Sequence, residues 1–521
     1  MRSKVLRFAP GLLLGCVLLV SFGLRLWGDD FGLPAYTRYH PDEHALVDRA
    51  AQILWTGEWN LGRFNYPPFY AYLQAGAYAV FFLLRASKGD WSAVPPFPLP
   101  EYYHIGREVT GLIGTLTVLV VFLIGRQLGG RRAGLLAAAL MGGCYLHVVH
   151  SHYATFDVMV AFLAALTLLF SLLVFERRNA KWYFLAGLFA GLAGATKYNG
   201  ALVVILPFLA HVLVTPWGEW GWLTDRLWLI PAGFLVGFFG GNPFALGNLP
   251  EFLNGLALVL HHYGTAQPGF EGQGNGRWYL RAFLTSADAI FVLWGGLGLL
   301  ALLKRDWKKG LLIVVFPALY FWMVSRFVVR FERNMIPILP FLALGGGWAL
   351  DRAAAWLSHR WRKAPLGSHG LATIGVILIL ALPLWASVAF DWTISGVDHR
   401  QIAGEWVESH VPEGAKIAIE HYSIPFDYSR YEVEDLLRID NRDLDWYQQE
   451  NFLLVVSDGV WEVLRQQREH YADRIAKLEA IETGATLLAE FTAEPPPIVV
   501  AGYPTIAVYH FAPVRIYRVS E

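Results

Sequence analysis

The chain has 521 residues, of which 55% are hydrophobic and only 16% are charged, and its mean hydropathy is +0.39. This composition leaves too little polar surface for a single soluble globule and indicates a membrane protein. Lys plus Arg and Asp plus Glu both number 42, so no overall charge bias points to a nucleic-acid partner. The two cysteines, Cys16 and Cys144, both lie in apolar runs, which excludes a disulfide framework.

The first apolar run covers residues 8–27 and follows a short basic segment. Its length of roughly 20 residues is enough to cross a bilayer core of ~30 Å. The run ends in Arg25, Leu26 and Trp27 rather than in the small residues of a cleavage site. We therefore predict a retained first span with a cytoplasmic amino terminus, and a cleaved signal peptide is the alternative.

Further apolar runs follow at intervals along the chain. They lie at 69–87, 104–128, 133–150, 158–175, 182–196, 200–215, 226–246, 279–303, 310–325, 334–351 and 368–390. Lys and Arg collect in the connections near 126–132, 177–181, 304–309 and 352–363, which the positive-inside tendency places in the cytoplasm. Residues 28 and 104 then both fall on the outer side, so an even number of crossings must lie between them. We therefore predict that 69–87 lies against the membrane without spanning it, and the alternative is a second crossing before residue 104. About eleven spanning helices remain, with the amino terminus inside and the carboxyl terminus outside.

The composition becomes that of a soluble domain after residue 390. Helical spacing at 401–408 and 460–482 and short apolar runs at 416–420 and 452–456 predict helices and strands. The predicted fold is an α-helical polytopic membrane protein with interfacial helices in the first outer loop and a small C-terminal α/β domain. The predicted domains are 1–390, with the first outer loop at 28–103, and an extracytoplasmic 391–521. The latter contains no nucleotide-binding glycine loop, so we do not place catalysis there.

Charged residues at a membrane surface are informative because placing charge near hydrocarbon is costly. Two acidic groups fall at the outer face. Asp42 and Glu43 follow Pro41, where the alternative explanation is a charged helix start. Asp157 follows a His-Ser-His run that includes His152, where the alternative is helix capping.

Two basic groups fall at the same face. Lys197 lies in a polar break with Tyr198 and Asn199, where a snorkelling lysine is the alternative. The second group contains the arginines Arg326, Arg330 and Arg333. Outer arginines run against the positive-inside tendency, and their forked donors match phosphate oxygens, although pairing with Glu332 or Asp157 also explains them.

The topology brings these groups to one face of the membrane. Carboxylates suit deprotonation of a hydroxyl or a metal site, and cations suit an anionic leaving group. Transfer from a phosphate-linked donor to a hydroxyl acceptor uses both kinds of group.

An ordered set of motifs carries a resemblance over residues 1–390. The set comprises Pro41-Asp-Glu43, Tyr66-Pro-Pro-Phe-Tyr70, Asp157 after the His-Ser-His run, Thr196-Lys-Tyr-Asn199, Asn242-Pro243 and the arginine-rich entry to Ile336-Pro-Ile-Leu-Pro340. Together they resemble the C-type membrane glycosyltransferases, in particular the protein O-mannosyltransferases and the aminoarabinose transferase of lipid A.

The resemblance implies a polyprenyl-phosphate sugar as donor and inversion at the anomeric carbon. Asp42 would be the general base, and Glu43 would orient the acceptor or bind a divalent cation. Asp157 and His152 would shape the acceptor side. The donor phosphate would be held by Lys197, Tyr198, Arg326, Arg330 and Arg333. No general acid is expected, because a lipid phosphate is a stable leaving group.

Metal use stays open at this point. Some relatives bind a metal through an acidic residue and a histidine of a later outer loop, and this chain offers His261 and His262 beside Glu43. Carboxylate and imidazole suit manganese, magnesium or zinc, although a histidine pair is also common polar surface.

Two other classes of function compete with a transferase. A polytopic transporter of an anionic or lipid-linked substrate also carries intramembrane charges, but these charges lie at one interface and we see no internal repeat. A non-catalytic scaffold would tolerate loss of Asp42.

The expected location is a prokaryotic plasma membrane. The expected partners are the bilayer, a lipid-linked sugar and a hydroxyl acceptor on protein, lipid or glycan, with no nucleic acid.

Overall fold

The computed structural model describes residues 2–35, 40, 42–95, 99–215, 226–265, 275–360, 367–421, 423–465 and 467–519. Helices dominate the chain up to residue 410. They are α1 Arg2–Leu26, α2 Glu43–Thr56, α3 Phe69–Ser87, α4 Pro100–Gly129, α5 Arg131–Gly142, α6 Tyr145–Ser151, α7 Phe156–Arg177, α8 Ala180–Thr196, α9 Ile205–Val214, α10 Leu229–Gly241, α11 Phe244–Gly247, α12 Leu249–Gly264, α13 Asn275–Thr285, α14 Ala289–Arg305, α15 Trp307–Val324, α16 Leu339–Arg360, α17 Gly367–Ile394 and α18 His399–His410. Two 3₁₀ helices, Tyr198–Val204 and Glu332–Ile338, precede α9 and α16.

Several of these helices are apolar enough to cross a membrane. Within the described ranges, four long helical segments qualify by length and composition, namely Pro100–Gly129, Phe156–Arg177, Trp307–Val324 and Gly367–His410. The number rises to six if the bent pairs α5–α6 and α13–α14 each form one span. The chain is therefore a polytopic membrane protein, while eleven spans stay a prediction. The predicted non-spanning segment 69–87 forms α3, which is not among these candidates.

Small residues allow α8 and α10 to pack in close contact. A Cβ atom added at Gly187 or Gly191 of α8 would collide with a carbonyl oxygen of α10, and one added at Gly233 or Gly237 of α10 would collide with a carbonyl oxygen of α8. Such glycine-lined contacts let two backbones approach inside a membrane, where van der Waals packing supplies much of the attraction. The close pairing fixes the carboxyl end of α8, where Lys197 follows.

The C-terminal region contains a five-stranded mixed sheet. Its strands are β1 Lys416–Glu420, β2 Glu432–Leu436, β3 Leu453–Ser457, β4 Ala485–Phe491 and β5 Val514–Val519, in the order β2-β1-β3-β5-β4. The strand β1 is parallel to β2 and β3, whereas β5 is antiparallel to β3 and β4. Successive side chains alternate between the faces, so that Ile417 and Ile419 join one apolar cluster and Ala418 joins the other.

Short helices complete this region: α19 Leu444–Glu450, α20 Asp458–Arg465, α21 Ala472–Thr483, α22 Pro497–Val500 and α23 Pro504–His510. The single charged helix predicted over 460–482 is therefore two helices. Trp461 of α20 and Leu478 of α21 both pack into the same apolar cluster. A turn between the two helices lets both apolar faces reach that cluster, which one straight helix would not do.

The segment 497–510 packs against the helical region. The Tyr145 hydroxyl donates to the carbonyl of Val499 at 2.7 Å, and the Tyr503 hydroxyl donates to Asp288 at 3.0 Å. Gly502 has φ +77°, and a Cβ atom there would collide with the backbone of α13. Glycine is therefore required at this contact, which holds the C-terminal region on the membrane-embedded part.

Candidate functional site

An ion pair joins two of the predicted site residues. Arg333 donates from Nη2 to Oδ2 of Asp42 at 2.7 Å, and their side chains are 12% and 23% exposed. Asp42 stands at the N-cap of α2 but its carboxylate makes no cap hydrogen bond, which leaves the oxygens available to Arg333. The carboxylate of Glu332, the alternative partner in the sequence, accepts from the backbone N–H and the hydroxyl of Thr505 at 2.9 and 2.6 Å.

A second ion pair joins two more of the predicted residues. Lys197 donates from Nζ to Oδ1 of Asp157 at 2.8 Å, and both side chains are almost fully buried. Asp157 lies in the first turn of α7, and Lys197 lies where α8 ends and the 3₁₀ helix begins. The polar break in the sequence is thus the point at which the lysine turns toward α7.

The two ion pairs share one electrostatic neighbourhood. Arg333 lies within electrostatic range of Asp157 as well as Asp42. Tyr66 lies within electrostatic range of both carboxylates, and Tyr509 of α23 lies within electrostatic range of Arg333. Burial raises the pKa of Tyr509 to about 12, so its hydroxyl stays neutral. The structure therefore brings Asp42, Asp157, Lys197 and Arg333 together, as the motifs indicated, with tyrosines beside them.

Two buried imidazoles in this neighbourhood carry polar atoms without a hydrogen-bond partner. His40 accepts from the backbone N–H of Asp42 at 3.2 Å through Nδ1, while its Nε2 makes no hydrogen bond. Burial, reinforced by the positive charge of Arg333, holds the pKa of His40 well below its ordinary value, so the ring is neutral. His150 is 2% exposed, lies within electrostatic range of Asp157, Lys197 and Arg333, and has no partner on either ring nitrogen. Buried polar atoms of this kind are rare and need an explanation.

Glu43 has a different environment from its neighbour Asp42. Both of its carboxylate oxygens accept from Arg107 at 2.8 Å, and one also accepts from the backbone N–H of Ala154 at 3.0 Å. The side chain is fully buried. Arg107 also donates to the carbonyls of Asp29 and Phe31, each at 2.9 Å. Glu43 thus anchors α2 to α4, an environment that leaves no open position for an acceptor or a cation.

The predicted metal set does not assemble. His261 and His262 are exposed at the carboxyl end of α12, and His262 lies within electrostatic range of Asp42 rather than sharing a ligand cluster with Glu43. In the part of the chain that the structure describes, the histidine and carboxylate side chains that do cluster are those of Asp29, His104 and Glu108, whose ligand atoms lie within 4.8 Å of one another. The predicted metal set does not form because the carboxylate of Glu43 faces Arg107 in the interior, whereas the two histidines are exposed.

His152 also departs from its predicted place on the acceptor side. Its Nε2 lies 3.2 Å from the carbonyl of Trp27 and 3.3 Å from the carboxylate of Asp391, so it links α1 and α17. His150, two residues earlier in the same run, is the histidine that lies near Asp157. The helical turn separates the two side chains, which the sequence run alone did not reveal.

The remaining predicted donor-side residues have distinct contacts. Arg326 is exposed, with its guanidinium 5.2 Å from the ring centroid of Trp322. Arg330 is buried and donates to the side chain of Asn275 at 3.2 Å. Tyr198 donates to the carbonyl of Phe64 at 2.5 Å. The arginine cluster therefore spreads over several partners, and Arg333 is the member that pairs with Asp42.

Sequence reasoning missed Arg107, His150 and Tyr509. Arg107 lies inside an apolar run, and a buried charge there was a usable signal, because such residues need a partner. Tyr509 gave no signal, because it lies in the region where we expected no catalytic contribution.

Comparison with known proteins bears on the family. Residues 106–240 match the family model described as dolichyl-phosphate-mannose-protein mannosyltransferase. This segment contains Arg107, His150, Asp157 and Lys197. No curated protein sequence matches the chain.

Solved structures share the fold. ArnT from Cupriavidus metallidurans, bound to undecaprenyl phosphate, is similar at 18% identity over 98% of each chain with a TM-score of 0.55. The oligosaccharyltransferase of Archaeoglobus fulgidus is similar at 12% identity over 94% of this chain and 74% of that one, with a TM-score of 0.52. The matched segment and the shared fold confirm what the motifs indicated: this chain resembles the C-type membrane glycosyltransferases of the protein mannosyltransferase and ArnT type.

Proposed function

We propose that this protein is an inverting glycosyltransferase that moves a sugar from a polyprenyl-phosphate carrier to a hydroxyl acceptor. The observation that carries the proposal is the shared neighbourhood of the Asp42–Arg333 and Asp157–Lys197 pairs. The ArnT relative was solved with undecaprenyl phosphate, and the archaeal oligosaccharyltransferase AglB was solved with dolichol phosphate and an inhibitory peptide. A lipid-phosphate ligand for this chain is consistent with both.

In this proposal Asp42 is the general base. Its carboxylate takes the proton of the acceptor hydroxyl as that oxygen attacks the anomeric carbon of the donor. The bond between the anomeric carbon and the phosphate oxygen breaks on the opposite side, which inverts the configuration. The phosphate leaves as an anion, so no general acid is required. Positioned acid–base groups of this kind contribute about 10²–10⁴-fold to a rate.

The ion pairs give donor binding a role in preparing the base. A phosphate that binds Arg333 competes with Asp42 for the same guanidinium donors, which form strong bonds with either anion. Donor binding would therefore release Asp42 from Arg333 and leave it available to the acceptor hydroxyl. Lys197 would likewise divide its charge between Asp157 and the phosphate.

The unpartnered imidazole nitrogens support a polar ligand in the same place. His40 Nε2 and both nitrogens of His150 lie buried without hydrogen-bond partners. Leaving such a buried group unpaired costs about 1–3 kcal/mol, which a sugar or acceptor hydroxyl would offset. We assign these two side chains, which replace His152 in this role, to recognition of hydroxyl groups.

We further propose that the reaction takes place at the extracytoplasmic face of a plasma membrane. The support is the distribution of Lys and Arg in the connections between apolar runs, which favours an outer location for the loop that carries Asp42. The sugar, the acceptor and any dependence on a divalent cation are open to the experiment below.

The test uses purified full-length protein, a membrane extract as acceptor source and a panel of labelled polyprenyl-phosphate pentoses and hexoses. We expect consumption of one donor with release of polyprenyl phosphate, and a product of inverted anomeric configuration by NMR. Asp42→Asn should lower the rate at least ~100-fold, because it removes the general base. Asp30→Asn, an exposed position in the same outer loop, is the matched control. A rate unchanged by Asp42→Asn, or a retained anomeric configuration, would contradict the proposal.

A further inference from the structure

A compact group of metal-ligating side chains lies outside the catalytic neighbourhood. Asp29 follows the end of α1, and His104 and Glu108 lie in α4. Their ligand atoms are all within 4.8 Å of one another. The distances from His104 Nε2 are 3.3 Å to Asp29 Oδ1 and 3.9 Å to Glu108 Oε1.

We infer that Asp29, His104 and Glu108 form a binding site for a divalent transition-metal ion of the zinc class. In tetrahedral zinc sites the nitrogen and oxygen ligands lie about 2.0–2.2 Å from the metal, so neighbouring ligand atoms are about 3.3–3.5 Å apart. The distance between Asp29 and His104 already matches this spacing. The Glu108 oxygen lies about half an ångström beyond this spacing from His104, and its half-exposed side chain can move closer.

Helix geometry supports the same conclusion. His104 and Glu108 are four residues apart, so they lie on one face of α4, one turn from each other. Zinc-binding helices use the same spacing to present two ligands from one face. Asp29 supplies the third ligand from a different element, so that a bound ion would connect the end of α1 to the first turns of α4.

The buried environment of the Asp29 carboxylate independently indicates a ligand. Its side chain is only 8% exposed, and its Oδ2 is buried without a hydrogen-bond partner. A buried, unpaired carboxylate oxygen is unfavourable unless a cation or a donor satisfies it. Two carboxylates and a neutral imidazole also supply a net charge of −2 for a divalent cation, and Arg107 nearby is already neutralised by Glu43.

The proposed site has a mechanical link to the catalytic loop. The backbone carbonyl of Asp29 accepts from Arg107 at 2.9 Å, and Arg107 holds Glu43, the neighbour of Asp42. An ion on Asp29 would restrain the segment that carries this carbonyl. Metal binding should therefore stabilise the first outer loop.

The test measures zinc binding to the full-length protein in detergent after chelator treatment. We expect about one high-affinity zinc per chain by calorimetry and metal analysis, a higher unfolding temperature with zinc, and a tetrahedral absorption spectrum with cobalt. His104→Gln and Glu108→Gln should each weaken zinc binding at least about tenfold. For Glu108→Gln, whose side chain is half-exposed, the unfolding temperature in chelator should equal that of the wild type in chelator, which separates lost binding from misfolding.

The matched control is the double variant His261→Gln/His262→Gln, which removes the other candidate ligand pair. It should keep the zinc affinity of the wild type. Zinc affinity that is absent in the wild type, unchanged by His104→Gln and Glu108→Gln, or lost in the control variant would overturn the inference. None of these outcomes depends on transferase activity, so the inference and the proposed function can fail separately.

Discussion

The two carboxylate oxygens of Glu43 each accept one hydrogen bond from Arg107 at 2.8 Å, and both side chains are fully buried. Glu43 begins α2 directly after Asp42. The pair therefore fixes the position of the proposed base through its neighbour. A buried charged group strongly destabilises the folded state when its ion-pair partner is removed.

The first prediction concerns this pair. Glu43→Gln should lower the free energy of unfolding by about 3–5 kcal/mol, because it leaves the charge of Arg107 buried and unpaired. Thermal unfolding in detergent measures the effect. The exposed carboxylate of Glu101 provides the control, since Glu101→Gln should change stability by less than about 0.5 kcal/mol. If Glu43→Gln left stability intact and only weakened metal binding, Glu43 would be a ligand rather than an anchor.

The second prediction distinguishes the arginines. Arg333→Gln should weaken binding of polyprenyl phosphate at least about tenfold, since a hydrogen bond to a charged group contributes about 1.5–3 kcal/mol. The measurement is protection of the protein from heat by polyprenyl phosphate over a range of lipid concentrations. Arg326→Gln is the matched variant, because Arg326 is exposed and stacks on Trp322.

We expect the Arg326→Gln variant to bind the lipid within about twofold of the wild type. Equal losses in both variants would show that the phosphate is held by the whole cluster, as the sequence predicted. A loss in Arg326→Gln alone would contradict the assignment of Arg333.

The third prediction concerns docking of the C-terminal region. Thr505 donates both its N–H and its hydroxyl to the buried carboxylate of Glu332. Thr505→Val removes the hydroxyl donor at constant shape and should lower stability by about 1–3 kcal/mol. Thr505→Ser keeps the hydroxyl and should behave like the wild type, so the comparison separates the hydrogen bond from packing. Equal stability of the two variants by thermal unfolding would argue against this contact.

The fourth prediction is a pH dependence in the C-terminal sheet. Burial raises the pKa of Glu420 from 4.5 to about 7, although three N–H donors, from Ile439, Ser457 and Trp461, oppose the shift. The folded state therefore binds more protons than the unfolded state between these values. This contribution is present in full below about pH 4.5 and is lost as the pH rises toward 7, a change of about 3 kcal/mol.

Glu420→Gln tests this dependence because glutamine does not titrate. The difference in unfolding free energy between the wild type and Glu420→Gln should change by about 3 kcal/mol between pH 4.5 and 7, with the wild type losing stability relative to the variant. A difference that stays constant with pH would show that Glu420 has an ordinary pKa in the folded protein. Glu413→Gln, an exposed position before β1, is the control.

The sequence predicted the helical membrane fold and the proximity of four charged residues of the candidate site. Asp42, Asp157, Lys197 and Arg333 were singled out because each is a charge at an apolar boundary, where a charge requires a reason. The strands predicted at 416–420 and 452–456 correspond to β1 and to β3 at Leu453–Ser457, because their apolar runs are short and end in polar turns.

The orientations of neighbouring side chains were not predictable in the same way. Asp42 and Glu43 are adjacent acids in the same motif, yet Asp42 faces Arg333 and Glu43 faces Arg107. His150 and His152 differ by two positions on a helical turn, which directs them to different partners. Contacts such as Arg333 with Tyr509 join distant parts of the chain and depend on tertiary packing, which local patterns do not encode.

The contact between Arg333 and Tyr509 has a consequence for the order in which the protein matures. Residues near both ends of the numbering, Asp42 and Tyr509, border the same few ångströms of space, so nearly all of the polypeptide must be synthesised before they meet. Contacts of such long sequence separation form late, because loop closure must precede them. A chain still attached to the ribosome would therefore have an incomplete candidate site. If the proposed function is right, activity requires that the 497–510 segment has been translated and has packed against the helical region.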